Sequence, residues 1–205
     1  MPYFSLEDIN NLQHLYKINL INSCSGFKSA NLIGTKSKEG IENVAIFSSV
    51  THVGSNPPIL SFFCRPTTVT RDTYKNIKET GFYTINHVHE SNFKEAHHTS
   101  ARYDSDISEF DKTNLISEYK EDCFAPFVKH SPIQMEMKFV GEYNIKENGT
   151  ILVLGEIQGL YINEDIVTDD GFVNLSEAKA AAINGLDGYA FPKLKERLDY
   201  QRPKK

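Results

Sequence analysis

The chain has few of the patterns that announce the commonest soluble chemistries. It holds three cysteines, Cys24, Cys64 and Cys123, in 205 residues. Far apart and odd in number, they indicate neither a disulfide framework nor a Cys-x-x-Cys metal site, and a reducing cytoplasm is their natural setting. None of the 12 glycines stands two residues from another, so no Gly-x-Gly-x-x-Gly exists, and no glycine precedes a lysine. A nicotinamide-binding Rossmann domain and a P-loop nucleotidase are both disfavoured. There is no Gly-x-Ser-x-Gly, so a nucleophilic triad is not suggested. No apolar run is long enough to span a bilayer, and Met1 to Asp8 lacks a basic segment followed by an apolar core, so export and membrane insertion are not expected. The formal charge is −5, and the short tail Arg202-Pro203-Lys204-Lys205 is the basic run. That balance argues against a general nucleic-acid binder and reads the tail as solvated.

What is present concentrates between residues 43 and 68. Asn43 to His52 and Ile59 to Thr68 read as two strands joined by the tight turn Gly54-Ser55-Asn56-Pro57-Pro58. A structural hairpin would alternate apolar and polar residues, yet Ser48, Ser49 and Thr51 follow directly on Ala45, Ile46 and Phe47. The alternation breaks where a ligand could sit. Arg65, Thr67 and Thr68 offer a guanidinium fork and two hydroxyls within four residues, which suits a phosphate. The hairpin therefore fits a flat cofactor carrying a phosphate. The competing reading makes Arg65 a strand cap and the threonines ordinary β-formers.

The remaining elements follow from periodicity. Leu12, Leu15 and Tyr16 fit a short helix, and Ile18, Leu20 and Ile21 a first strand. Asn31 to Thr35, Val44 to Val50 and Pro58 to Cys64 read as strands. Asp72 to Thr80 changes period, with Thr73, Asn76, Ile77 and Thr80 on one face and Gly81 placed to end a helix. Its first turn would aim amides at the phosphate, unless it is a crossover helix without ligand contact. Phe82 to Val88 is strand-like, and Ser91 can cap a helix through Phe93, Ala96 and His97. Ile133, Met135, Met137 and Phe139 alternate with Gln134, Glu136 and Lys138 as in a half-buried strand. Asn148-Gly149 marks a hairpin before Thr150 to Ile157. Asn174-Leu175-Ser176-Glu177 begins a helix in capping-box style that Ala178 to Ile183 continues until Gly185. No domain boundary, repeat or low-complexity tract appears, so residues 1–205 are expected to form one domain.

Taken together, the Asn-x-Ala-x-Phe-Ser run, the Pro57-Pro58 turn and Arg71-Asp72-Thr73-Tyr74-Lys75-Asn76-Ile77-Lys78-Glu79-Thr80-Gly81-Phe82-Tyr83-Thr84-Ile85-Asn86 resemble the flavin reductase-like family of FMN-binding split barrels. Ser108-Glu109-Phe110-Asp111 resembles that family's acidic-Phe loop, and Gly185-Leu186-Asp187-Gly188-Tyr189 its C-terminal glycine and tyrosine segment. The likeness spans about residues 27 to 190. It implies a mainly β fold, an FMN-binding split β-barrel with a few peripheral helices, and a homodimer with the flavin at the subunit interface.

The resemblance also implies an activity, with FMN as cofactor and NADH or NADPH as a transient substrate whose hydride passes to the flavin. Backbone amides and hydroxyls of the stretch Phe47, Ser48, Ser49, Val50 and Thr51 would hold the ring and ribityl chain, with Asn43 also in contact with the cofactor. Arg65, Thr67, Thr68 and Thr73 would hold the phosphate, and Cys64 would also lie against the cofactor. Thr99, Ser100 and Tyr103 come from a loop that lies near the flavin in the family; a solvated excursion is the other reading of that loop. No catalytic side chain is indicated, since hydride transfer needs chiefly alignment. The alternative within this class is an FMN electron carrier, flavoredoxin-like, serving a redox partner protein.

A rival from another class uses histidines. His87 and His89 fall on one side of a strand and His97-His98 in the next helix, so a heme- or metal-binding barrel can be drawn. Adjacent helical histidines cannot both face one point, and ordinary hydrogen-bonded histidines are the default.

Overall fold

A computed structural model of the chain describes residues 1–203; Lys204 and Lys205 of the basic tail lie outside the described residues. Two helices, α1 (Leu6–Asn11) and α2 (His14–Cys24), precede β1 (Lys28–Ser29), β2 (Asn31–Lys36), β3 (Glu42–Phe47), β4 (Thr51–Ser55) and β5 (Pro58–Cys64). Then come α3 (Asp72–Thr80), β6 (Phe82–His87), α4 (Phe93–His98), β7 (Ser117–Glu118) and β8 (Phe127–Val128). Two long strands, β9 (Ile133–Asn144) and β10 (Ile151–Ile162), and the short β11 (Ala182–Asn184) and β12 (Gly188–Ala190) complete a mostly β chain.

Seven strands form one sheet in the order β3-β2-β6-β9-β10-β5-β4, antiparallel throughout. Its two edge strands, β3 and β4, are consecutive in sequence and joined only by Ser48, Ser49 and Val50. A flat seven-stranded sheet would hold its edges about 29 Å apart at ~4.8 Å per strand. The four steps from Phe47 to Thr51 reach at most about 14 Å. The sheet must therefore roll up, and the three-residue link marks the seam where its edges meet without pairing. Ser49 ties that link to β5: its hydroxyl accepts the Phe63 N–H at 3.0 Å and donates to the Phe63 carbonyl at 3.4 Å, taking the place of a strand partner beyond the last β4–β5 pair, Thr51 with Ser61.

Alternation along the central strands sends side chains to two cores. Ile33, Phe62, Tyr83, Ile85, Met137 and Val153 pack within the roll, while Leu32, Val44, Val88, Phe110, Val128 and Ile183 pack outside it. Hence every residue of β2 from Asn31 to Thr35 is buried. Helix α3 lies over β2 and buries Thr73, Asn76 and Ile77, as its period requires, and ends at Gly81, whose φ of 80° is left-handed. The expected turn at Asn148-Gly149 joins β9 to β10.

Two expected elements are replaced by others. Ile18, Leu20 and Ile21 lie in helix α2, not in a strand. Asn174 does accept the N–H groups of Ser176 and Glu177, but no helix follows. Lys179 turns to a positive φ of 48°, Ala180 bridges His89, and β11 pairs with β1 and β12. Smaller shifts occur elsewhere: the strand expected through Val50 leaves the sheet at Phe47, β10 continues to Ile162, and α4 begins after Asn92 rather than Ser91. The Ser91 hydroxyl and amide instead meet the His89 ring. No helix among the described residues is long and apolar enough to cross a membrane.

Candidate functional site

The seam opens onto a cleft of about 290 Å³ at the end of the roll. Strand β3 supplies one wall through Asn43, Ala45, Ile46 and Phe47, and Ser48 and Ser49 continue it along the seam. The end of β5 supplies Phe63, Cys64 and Arg65. Thr70 to Thr73, at the head of α3, and the loop from Thr99 to Tyr103 close the remaining sides, with Glu109 at the back.

Hydrogen bonds between elements hold this geometry. The Asn43 amide donates to the Thr73 hydroxyl at 3.2 Å, and Asn76 donates to Thr35 at 3.1 Å, so α3 is pinned to β2 and β3. A Glu109 carboxylate oxygen accepts the Val44 N–H at 3.0 Å, which seals part of the free edge of β3. Burial pushes the Glu109 carboxyl above the ordinary range, opposed by that N–H. Thr99 is buried and donates its hydroxyl to the Ala96 carbonyl at 2.7 Å, while Tyr103 is 2.7 Å from the His98 ring. Cys64 is a buried thiol: burial raises its pKa, and the nearby Arg71 charge opposes this only in part. It is therefore protonated at neutral pH and lacks nucleophilic character.

Arg71 is the residue that the sequence reading passed over. It stands at the N-cap of α3, caps nothing with its side chain, and its buried Nε has no hydrogen-bond partner. A buried guanidinium N–H left unpaired is costly, so an acceptor is missing from its surroundings. The first-turn amides of α3 have no side-chain cap either, and they share the cleft with Arg65 and Arg102. Three arginines against Asp72 and Glu109 leave the lining net positive. Arg71 was legible as an arginine directly before a helix start, but Arg65, closing a strand, drew the phosphate assignment.

Of the residues singled out from sequence, Asn43, Phe47, Ser48, Ser49, Cys64, Arg65, Thr73, Thr99, Ser100 and Tyr103 line this cleft. Val50, Thr51, Thr67 and Thr68 do not: Val50 packs against the inner core, Thr51 is exposed on the edge strand β4, and Thr67 and Thr68 are exposed in the turn before α3. The histidines do not converge. His89 meets Ser91, His97 meets Tyr189 at 3.1 Å, and His98 meets Tyr103. The described residues contain no group of three His, Cys, Asp or Glu side chains arranged to hold a metal.

Comparison with known proteins agrees with this architecture. Residues 25–176 match the family model described as "Flavin reductase like domain". A split-barrel protein of Shewanella frigidimarina NCIMB 400, classed with the flavin reductases, is 46% identical and superposes with a TM-score of 0.95 over 98% of this chain and 100% of its own. Nitrilotriacetate monooxygenase component B from Bacillus cereus shares the fold, with a TM-score of 0.83, 21% identity and coverage of 97% and 98%. So does an FMN-binding protein of Thermus thermophilus, solved with 1-cyclohex-2-enone bound, with a TM-score of 0.71, 13% identity and coverage of 87% and 93%.

Proposed function

Because the chain belongs to the flavin reductase-like family and has its split-barrel fold, we propose that the seam cleft holds FMN and that the protein is an oxidoreductase taking hydride from NADH or NADPH. The observation that carries this reading is Arg71: a buried guanidinium N–H without an acceptor, at a helix start, in a cleft that also offers hydroxyls and an apolar wall. A phosphate supplies the acceptor oxygens such a group lacks. The residues present fit the group.

In this reading Arg71, with Arg65, Arg102 and the first-turn amides of α3, holds the phosphate. Thr67 and Thr68, exposed and outside the cleft, have no part in it. Ser48 and Ser100 offer hydroxyls to a polyol chain, Ser49 being engaged with Phe63, and Ala45 and Phe47 present an apolar surface to a flat ring. Bound FMN supplies the redox chemistry, accepting a hydride and passing its electrons on. The protein aligns and shields, and Cys64 stays a neutral thiol. The nicotinamide enters as a substrate from solvent, in keeping with the absence of a glycine-rich dinucleotide motif.

The same proposal includes a second copy of the chain. Helices α1 and α2 bury none of their residues and leave Leu6, Leu15, Tyr16 and Ile21 exposed, a surface suited to a homodimer contact. Three free cysteines support a reducing, cytoplasmic setting in which a redox partner protein can act as final acceptor.

The test is a visible spectrum after FMN is added and excess removed, followed by anaerobic NADH and then NADPH. A retained band that bleaches is the expected result and names the donor. A retained band that neither nucleotide bleaches assigns the chain to electron carriage, and a colourless protein overturns the FMN reading.

A further inference from the structure

A second cavity, of about 500 Å³, lies apart from the seam cleft and shares no lining residue with it. Its size is within the roughly 300–1,000 Å³ range of small-molecule sites. One wall is strand β1, β11 and the Ala180–Ala182 run, and another is the segment Phe172–Ser176. The third is the C-terminal strap Pro192–Lys195, tied down by two clips. The Ser176 hydroxyl donates to the Pro192 carbonyl at 3.0 Å and accepts the Leu194 N–H. Farther along, the Arg197 guanidinium grips Asp170 through two bonds and lies 4.2 Å from the centre of the Phe172 ring.

The chemistry of this cavity is uneven. Phe27, Phe172, Leu175 and Leu194 make its walls apolar. His87 reaches it from the end of β6, and burial, with no other group acting on the ring, lowers its pKa to about 4, so it is a neutral imidazole. Every charged residue in the lining is a lysine: Lys28, Lys193 and Lys195. Lys28 is occupied by Ser25 and the carbonyls of Asn22 and Gly26, whereas Lys193 and Lys195 form no ion pair among the described residues. Apolar walls with cations and no carboxylate complement a molecule that is mostly apolar and carries one negative charge.

We propose that this cavity is a binding site for an aromatic or alicyclic carboxylate, its ring between Phe27, Phe172 and Leu194 and its charge toward Lys193 and Lys195. The site is joined to the seam through Ser29, which lines the cavity while its hydroxyl meets the Val50 carbonyl at 3.4 Å and the Asn31 amide at 2.9 Å. The proposal does not depend on FMN occupying the other cleft.

Calorimetric titration of the full chain with 2-naphthoate, and in parallel with uncharged 2-naphthamide, tests this. One naphthoate per chain is expected, bound at least fivefold tighter than the amide and equally well with and without FMN. The exposed double substitution Lys193→Gln/Lys195→Gln should weaken naphthoate at least fivefold and leave the amide unchanged, while Leu194→Asp should abolish both. A silent titration overturns the proposal, and if Leu194→Asp then alters sedimentation, the cavity is a subunit contact instead. Binding that survives the lysine substitutions, or that is lost on Arg71→Ala, also overturns it, because the ligand is then held elsewhere.

Discussion

The Tyr83 hydroxyl occupies the space that a Cβ at position 155 would need, so Gly155 and Tyr83 form one unit across the rolled sheet. Gly155 lies at a register shift in β10, and the Tyr83 ring continues an edge-to-face series through Phe62 to Phe47 on the cleft wall. The tyrosine oxygen is buried without a hydrogen-bond partner, and burial raises its pKa beyond the range in which it could ionise in neutral solution.

Gly155→Ala should therefore destabilise the fold by about 1–3 kcal/mol through overpacking, read as a lower urea midpoint. Tyr83→Phe alone should be neutral or stabilising, since it removes an unpaired polar atom. The pair should recover only part of the loss, because the ring carbons at 2.7 and 3.0 Å still crowd the new methyl.

For FMN, the two arginines should separate. Arg71→Ala is expected to raise the dissociation constant at least about 30-fold, the loss of roughly 2 kcal/mol from a charge-assisted contact. Arg65→Ala, on an exposed side chain, should raise it by less than about tenfold. Quenching of flavin fluorescence measures both. Equal effects, or none from Arg71→Ala, would remove the phosphate assignment.

His87 should make stability depend on pH in a defined direction. Its pKa is pushed from 6.5 to about 4 by burial. Below pH 6.5 the unfolded chain takes up a proton that the folded chain refuses, so stability falls as pH drops from about 6.5 to 4, by up to about 3 kcal/mol. Urea midpoints measured across that window should slope in wild type and flatten in His87→Phe.

Ser49→Ala should loosen the seam. With its hydroxyl gone, the Phe63 N–H loses its acceptor, at a cost of about 1 kcal/mol. Hydrogen exchange at Phe63 should accelerate about fivefold, with amides of β9 unaffected.

How much of this was legible beforehand depends on where tertiary packing overrode local preference. The hairpins and α3 were readable because turn residues and periodicity agree there: Gly81 is left-handed at the helix end, and Asn148-Gly149 reverses the chain. In α2, the spacing of Ile18 and Leu20 mimics a strand, but side chains bind back along the helix: Gln13 caps Tyr16, Asn22 donates to the Ile18 carbonyl, and Ser23 to that of Asn19. In the run Ala178–Ile183 the opposite occurred. Alanine favours helix by propensity, yet its small side chains allow close packing as β11 is drawn between β1 and β12. The cleft was legible on its β3 side and at Arg65. The role of Arg71 was not, since an unpaired buried nitrogen is a property of three-dimensional surroundings.

The three-residue seam also orders events in time. Strands β2–β3, β4–β5 and β9–β10 are local hairpins that can form early, but β5 meets β10 between residues roughly 90 positions apart, and that pairing closes the roll. Long-range pairings of this kind are slow, because loop closure must precede the contacts that reward it. The cleft draws its walls from β3, the end of β5, the head of α3 and the loop from Thr99 to Tyr103, so they stand together only in the closed roll, and capture of a ligand there reports that closure.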